Sequence, residues 1–208
     1  VVVTSQKREE RLQDVPISIQ AFSGDALAAR GVESTGQLAQ SVPGFQTTQV
    51  AGFTLIYIRG IGTDNFIPSA DPSIATYVDG AFALQGQAVT QSLANIERVE
   101  VLKGPQGTLF GRNATGGAVS IITEEPGDVF KVSTQGEIRS FDGRSAKASI
   151  SGPITDWLSA SLAGMRSERD NVYDNPNYEV QADLSKAVRA KVNFHPTEDV
   201  SLSVTALH

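Results

Sequence analysis

The chain has 208 residues, with 17 Lys+Arg against 23 Asp+Glu, a net charge of −6 and no cysteine. That length holds one large or two small domains with a real core. The absence of cysteine excludes disulfides and thiolate metal sites, and an acidic chain with scattered basic residues is a poor partner for nucleic acid. No apolar run reaches the roughly 18 residues of a transmembrane helix, and no charged n-region with an apolar h-region opens the chain. Transmembrane β-strands escape that test, because they show only weak alternation.

In chain order, VPISIQAF (15–22) alternates as a strand, with Val15, Ile17, Ile19 and Ala21 on one face. Ser23 or Asp25 can cap a short helix through Arg30 with Gly31 as its stop, and a second short helix runs from Ser34 or Thr35 towards Pro43. TLIYIRG (54–60), SIATYVDG (73–80) and IERVEVLKG (96–104) read as strands closed by Gly or Asp-Gly, and GAVSIIT (117–123) as another.

The last two strands flank a glycine-rich stretch containing Gly104, Gly107, Gly111, Gly116 and Gly117. A phosphate-binding loop would need Lys and Ser/Thr after its second glycine, and here Gly117 and Ala118 stand there. RGIGTDN (59–65) begins like a dinucleotide fingerprint, but Asn65 replaces the third glycine and no amphipathic helix follows. The glycines are therefore expected to be structural, joining two strands by a compact turn.

From about residue 128 the pattern changes to long polar/apolar alternation. Phe130, Val132, Thr134 and Ile138 fall on one face, and Lys131, Ser133, Gln135, Glu137 and Arg139 on the other. The same period recurs in 144–151, 157–169, 185–195 and 200–207, giving five strands whose joins predict antiparallel pairing. A soluble sandwich alternates in the same way, and the pattern alone favours it. Thin apolar faces opposed to Lys, Glu, Arg and His, with one long join among short ones, point instead to a wall between lipid and a wet lumen.

VVVTSQKREERLQDVPISI, IRGIG, DPSIATYVDG and above all IERVEVLKGPQGTLFGRNATGGAVSIIT resemble the plug domain of TonB-dependent outer-membrane receptors, over residues 1 to about 125. GPITDW and the strands after it look like the start of the barrel in that family. The resemblance implies a mixed α/β plug domain followed by antiparallel strands of a transmembrane β-barrel, incomplete in this chain. Residues 1–11 would be a TonB-box remnant and linker, 12–126 the plug, and 127–208 the first five or so barrel strands. In such receptors the plug lodges in a barrel of about 22 strands. Five strands cannot close one, so the chain is expected to be a portion of a longer receptor.

The function this resemblance implies is TonB-dependent active uptake of a scarce large ligand, foremost an iron–siderophore complex, across the outer membrane of a Gram-negative bacterium. Glycan or cobalamin uptake by the same mechanism, a soluble periplasmic binding module and a signal-transducing receptor are the alternatives. The expected partners are the TonB energy-coupling protein, the ligand and outer-membrane lipid, with no cofactor and no nucleic acid. Enzymatic activity is not expected, because no acid, base and nucleophile are grouped. Val1, Val2, Val3, Thr4 and Ser5 look like the end of a TonB box, with Ser5 for Ala, and are expected to lack a local pairing partner and to form a strand with TonB. The polar run that follows them, including Glu9, Glu10 and Arg11, reads as solvated.

In the family the loops after IRG and YVDG point outwards, which makes Asp64, Asn65, Phe66, Phe82, Gln85 and Gln87 the ligand-contact candidates. In the family, plug basic residues pair with acidic residues of the barrel wall, and the resemblance implies that at least two of Arg59, Arg98, Lys103 and Arg112 do so, Lys103 standing where Arg is common. His195 and His208 read as rim or lumen residues, and no metal site is expected. Asn113-Ala114-Thr115 spells a glycosylation acceptor by chance.

Overall fold

The computed structural model describes residues 2–4, 8, 10–32, 34–50, 53–64, 71–83, 95–140, 142–169, 183–197 and 200–207. The chain divides into two units, Val1–Glu124 and Glu125–His208.

The first unit opens with β1 (Val2–Val3) and β2 (Glu10–Arg11), followed by β3 (Ile19–Ser23), α1 (Gly24–Ala28) and a 3-10 helix, Thr35–Gln40. Then come β4 (Phe45–Val50), β5 (Phe53–Ile58), β6 (Ile61–Gly62), β7 (Ile74–Val78) and β8 (Ala81–Phe82). β9 (Ile96–Lys103), α2 (Gly107–Phe110) and β10 (Gly117–Thr123) complete it. The central sheet has the order β3-β9-β10-β7-β8, with β7 and β10 parallel and the other pairs antiparallel. β4, β5 and β6 form a separate three-stranded sheet.

Val99 and Val101 lie on one face of β9 and Leu102 on the other, each in a core, so this central strand is buried on both faces. Val99, Val101, Val119 and Ile121 pack into one core with Leu27, Leu38, Phe45 and Ile58, and Leu102 and Ala118 into a second with Ala75, Phe110 and Ala114. Each fully buried aliphatic side chain contributes about 1.5–3 kcal/mol. Ser23 caps α1 by accepting the Ala26 N–H at 3.3 Å, and the chain leaves the helix through Gly31 at φ 67°. The second helix is the 3-10 segment.

Arg59-Gly60 and Asp79-Gly80 turn two tight hairpins with φ of 54°, 78°, 48° and 80°. Positive φ at both central residues matches the right-handed strand twist. IRGIG and YVDGAF are therefore hairpins rather than strand ends. β4 was not foreseen, because FQTTQV carries too little apolar alternation to stand out.

Two expectations are corrected here. The segment between β9 and β10 is not a compact turn: it contains α2 and is tied by Gly104 N–H to Gly116 O at 3.1 Å and Gln106 N–H to Ala114 O at 2.8 Å. Nor does the N-terminal segment lack a local partner. Val2 pairs with Arg11 and Val3 with Glu10, so part of the polar run expected to be solvated is a strand, and Val3 is fully buried.

The second unit is one antiparallel meander of β11 (Lys131–Arg139), β12 (Gly143–Thr155), β13 (Leu158–Arg169), β14 (Asp183–Thr197) and β15 (Val200–Leu207). These are the five strands read from the sequence. The register sets Ile150 opposite Leu162 and Leu162 opposite Ala190, and sets Ala160, Val192 and Val204 in line, so one face is apolar across the sheet. That face is open: Leu162 is 52% exposed and Val204 57%. The opposite face is polar and is covered in the middle strands, where Ser145, Ser159, Ser161, Arg189, Lys191 and Asn193 are buried. A sandwich would bury the apolar face against a second sheet. This polarity is that of a barrel wall.

Candidate functional site

The N-terminal segment is fastened to the central sheet by one buried carboxylate. Glu100 lies mid-strand in β9, fully buried, with Ala21 of β3 and Ser120 of β10 as its register partners. Its Oε1 accepts the Thr4 backbone N–H at 2.9 Å and the Arg98 Nε–H at 2.8 Å, and Arg98 Nη2 donates to Thr4 Oγ1 at 3.0 Å. Arg98 also pairs with Glu97. Among the described residues no hydrogen bond reaches Glu100 Oε2. A buried carboxylate needs such partners, because desolvation without them costs several kcal/mol. The alternation of β9 gave no sign of this role, since Glu100 is a single acid between two valines of an apolar strand. Val1 and Ser5 lie outside the described residues.

The four basic residues expected to meet the wall separate into two kinds. Arg98 is held by Glu97 and Glu100, and the exposed Arg112 by Asp71 at 3.1 Å. Arg59 donates to Ser18 Oγ at 2.8 Å and Lys103 to the Pro43 carbonyl at 2.7 Å, which are neutral oxygens. Burial, and then the nearby Arg59, hold the Lys103 ammonium below its ordinary pKa. Arg59 and Lys103 are the two of the four whose charge is not matched by a carboxylate among the described residues.

Of the ligand-contact candidates, Asp64 is exposed and accepts the Tyr57 hydroxyl, which raises the Tyr57 pKa above its ordinary value of 10.0. Phe82 sits in β8, half-buried, with its ring edge-on to Tyr77 at 5.6 Å and packed on the second core. Asn65, Phe66, Gln85 and Gln87 lie outside the described residues. Among the described residues no three His, Cys, Asp or Glu side chains gather as a metal would require. His195 is exposed in β14, and His208 lies outside the described residues.

Two of the five glycines meet direct steric limits. A Cβ on Gly117, which has φ 151°, would stand 2.4 Å from the Leu102 carbonyl oxygen, and one on Gly116 would stand 2.5 Å from Ile61 Cγ2 and 2.8 Å from Ile74 Cδ1. Gly104 and Gly111 have φ of 106° and 75°, and nothing would meet a Cβ on Gly107.

In the second unit Glu125 accepts from the buried Lys191 and from Asn193 Nδ2 at 2.6 Å, which satisfies charge on the covered face. Sequence reasoning missed this acid because it stands outside any strand.

A mixed-sheet domain with a docked N-terminal strand, followed by a meander whose apolar face is open, defines a plug domain and the opening of a transmembrane β-barrel. The family described as TonB-dependent Receptor Plug Domain matches residues 11–118, and the chain belongs to the TonB-dependent receptors. The chain is 32% identical over 181 residues to the pesticin receptor of Yersinia pestis, covering 85% of this chain and 26% of that protein. It is 30% identical over 217 residues to the iron-regulated outer membrane virulence protein of Vibrio cholerae, covering 99% and 33%. The structure of the ferric yersiniabactin uptake receptor FyuA from Yersinia pestis superposes with a TM-score of 0.82 at 28% identity, over 92% of this chain and 31% of that one. The chain thus spans about a quarter to a third of the relatives it matches. The family is one of outer-membrane transporters of Gram-negative bacteria, not of enzymes.

Proposed function

We propose that the receptor containing this chain takes up an iron–siderophore complex, with TonB acting on Val1, Val2, Val3, Thr4 and Ser5. The observation that carries the coupling is the state of this segment. Val2–Val3 is already extended and paired with the two-residue β2, Val3 is buried, and Thr4 beside it is held by Glu100 and Arg98. A partner adding a strand there exchanges a two-residue pairing for a longer ladder. Tension on Thr4 would then reach β9, the strand between β3 and β10 in the central sheet.

The cargo reading rests on relatives. One is named as iron-regulated and another as a ferric yersiniabactin receptor. Asp64, Asn65, Phe66, Phe82, Gln85 and Gln87 remain the contact candidates, with polar groups and aromatics suited to a chelate. Phe82 has the weakest claim of the six, because its ring already packs on Tyr77.

The experiment is growth of a deletion strain carrying the full-length gene on single iron, cobalamin or glycan sources. Growth on a ferric siderophore is expected, and it is lost with Val3→Pro while cell-surface binding of that chelate persists. Growth rescued only by cobalamin or a glycan overturns the cargo. Uptake that survives Val3→Pro overturns the coupling segment.

A further inference from the structure

We infer that the outward face of β12–β14 carries a site for an anionic lipid phosphate, formed by Arg144, Arg166 and Lys186. The inference rests on the reading of this sheet as membrane wall. In the register Arg166 stands directly opposite Lys186, and Arg144 directly opposite Glu168, one pleat further along the same face. All four side chains are exposed.

Glu168 is bound to Arg166 at 3.1 Å, and among the described residues no carboxylate pairs with Arg144 or Lys186. Like charges directly opposite across a sheet repel. The repulsion is stronger at the margin of a low-dielectric band, where water screens less. An anion bound between them removes it, and guanidinium forks match phosphate oxygens bidentately.

The position selects a lipid as the source of that phosphate. Below the cationic row the outward face is apolar through Ile150, Leu162, Val188 and Val192. It ends in aromatic rings: Trp157 is edge-on to Phe194 at 5.3 Å, and Phe130 lies over Gly152. Phe194 and Lys186 are about eight residues apart, or about 27 Å along a strand and about 21 Å of height at a tilt of about 40°. The apolar band of such barrels is about 25 Å tall. The row therefore falls where hydrocarbon gives way to headgroups. It is also at the end where residues 170–182 make the long join, and long joins lie on the external side. The leaflet addressed is the outer one.

The test uses the full-length receptor in phosphatidylcholine nanodiscs, with added lipid A or its dephosphorylated form. Lipid A is expected to raise the thermal midpoint by several degrees. The dephosphorylated lipid is not, and the combined Arg144→Gln, Arg166→Gln and Lys186→Gln variant should lose the shift. Equal shifts with both lipids, or an undiminished shift in the variant, overturn the site. A shift produced by inorganic phosphate alone overturns the lipid source. Should the triple variant fail to assemble, Lys186→Gln alone is scored by the lipid A that copurifies, and unchanged retention overturns the proposal. A fluorophore on Leu162→Cys, quenched by brominated acyl chains, separates the two readings. Absence of quenching sinks the membrane wall, and quenching without phosphate dependence sinks only the phosphate site.

Discussion

At Gly117 the backbone conformation and the Leu102 carbonyl at 2.4 Å both exclude a side chain, and the obstacle is backbone, which cannot rotate away. Gly117→Ala is expected to cost about 2 kcal/mol or more, and Gly116→Ala about 1–3 kcal/mol through overpacking of Ile61 and Ile74. Gly107→Ala, which meets nothing, should stay within about 0.5 kcal/mol. Receptor abundance and denaturant midpoints check the series; loss of a phosphate or nucleotide ligand at normal stability would contradict it. Tyr57 supplies a pH prediction. Its hydrogen bond to Asp64 raises the phenol pKa, so the folded state holds this proton more tightly than the unfolded one. The contribution is complete below pH 10.0 and disappears as pH rises through the raised value. A tyrosinate absorbance titration of wild type minus Tyr57→Phe should show one late-titrating phenol, and an ordinary midpoint there would refute the bond.

At the scale of elements, β1 is two residues long, and Glu100 and Arg98 fasten the Thr4 that follows it. Glu100→Gln keeps the shape but removes the charge that draws in Arg98 and the Thr4 amide. Amide exchange at Thr4 is expected to accelerate about tenfold, a loss of about 1.4 kcal/mol, while amides shared by β9 and β10 keep their protection. Uniform acceleration of both would mean that Glu100 supports the whole sheet rather than the docked strand. In the second unit the open face sets a depth rule. Leu162→Lys, in the middle of the apolar band, should cost about 2–4 kcal/mol of barrel stability, and Ala146→Lys, in the row of Arg166, about 0–1 kcal/mol. Equal costs at the two positions, measured by unfolding from bilayers, would argue against a lipid-facing wall.

For the whole receptor, Arg59 and Lys103 are the two of the four plug cations that neutral oxygens hold among the described residues, and a charge that assembly encloses without a carboxylate becomes costly. We expect both to meet carboxylates of the barrel wall in the assembled receptor. The check is a full-length structure, followed by double-mutant cycles on the pairs it shows. Both side chains facing bulk water would refute this expectation. Arg98 and Arg112 already hold Glu97, Glu100 and Asp71, so their share of wall pairing should be smaller.

The kind and order of elements could be read from the sequence because they depend on neighbours a few residues away. Period-two alternation from 128 onward marked five strands, Arg59-Gly60 and Asp79-Gly80 marked the ends of two more, and the glycines of 104–117 marked a structural connection between β9 and β10. Even the two faces of β11 to β15 followed from alternation alone. Which face would be covered did not, because a sandwich and a barrel wall share one pattern and differ only in what lies against it. The tertiary structure decided that, along with β4, the β1–β2 pairing and the work of Glu100 and Glu125. Thr4 and Glu100 are 96 positions apart, and Glu125 and Lys191 are 66. Contacts at that separation are chosen by how whole sheets stack and by which buried charges must be neutralised, and no local periodicity records them.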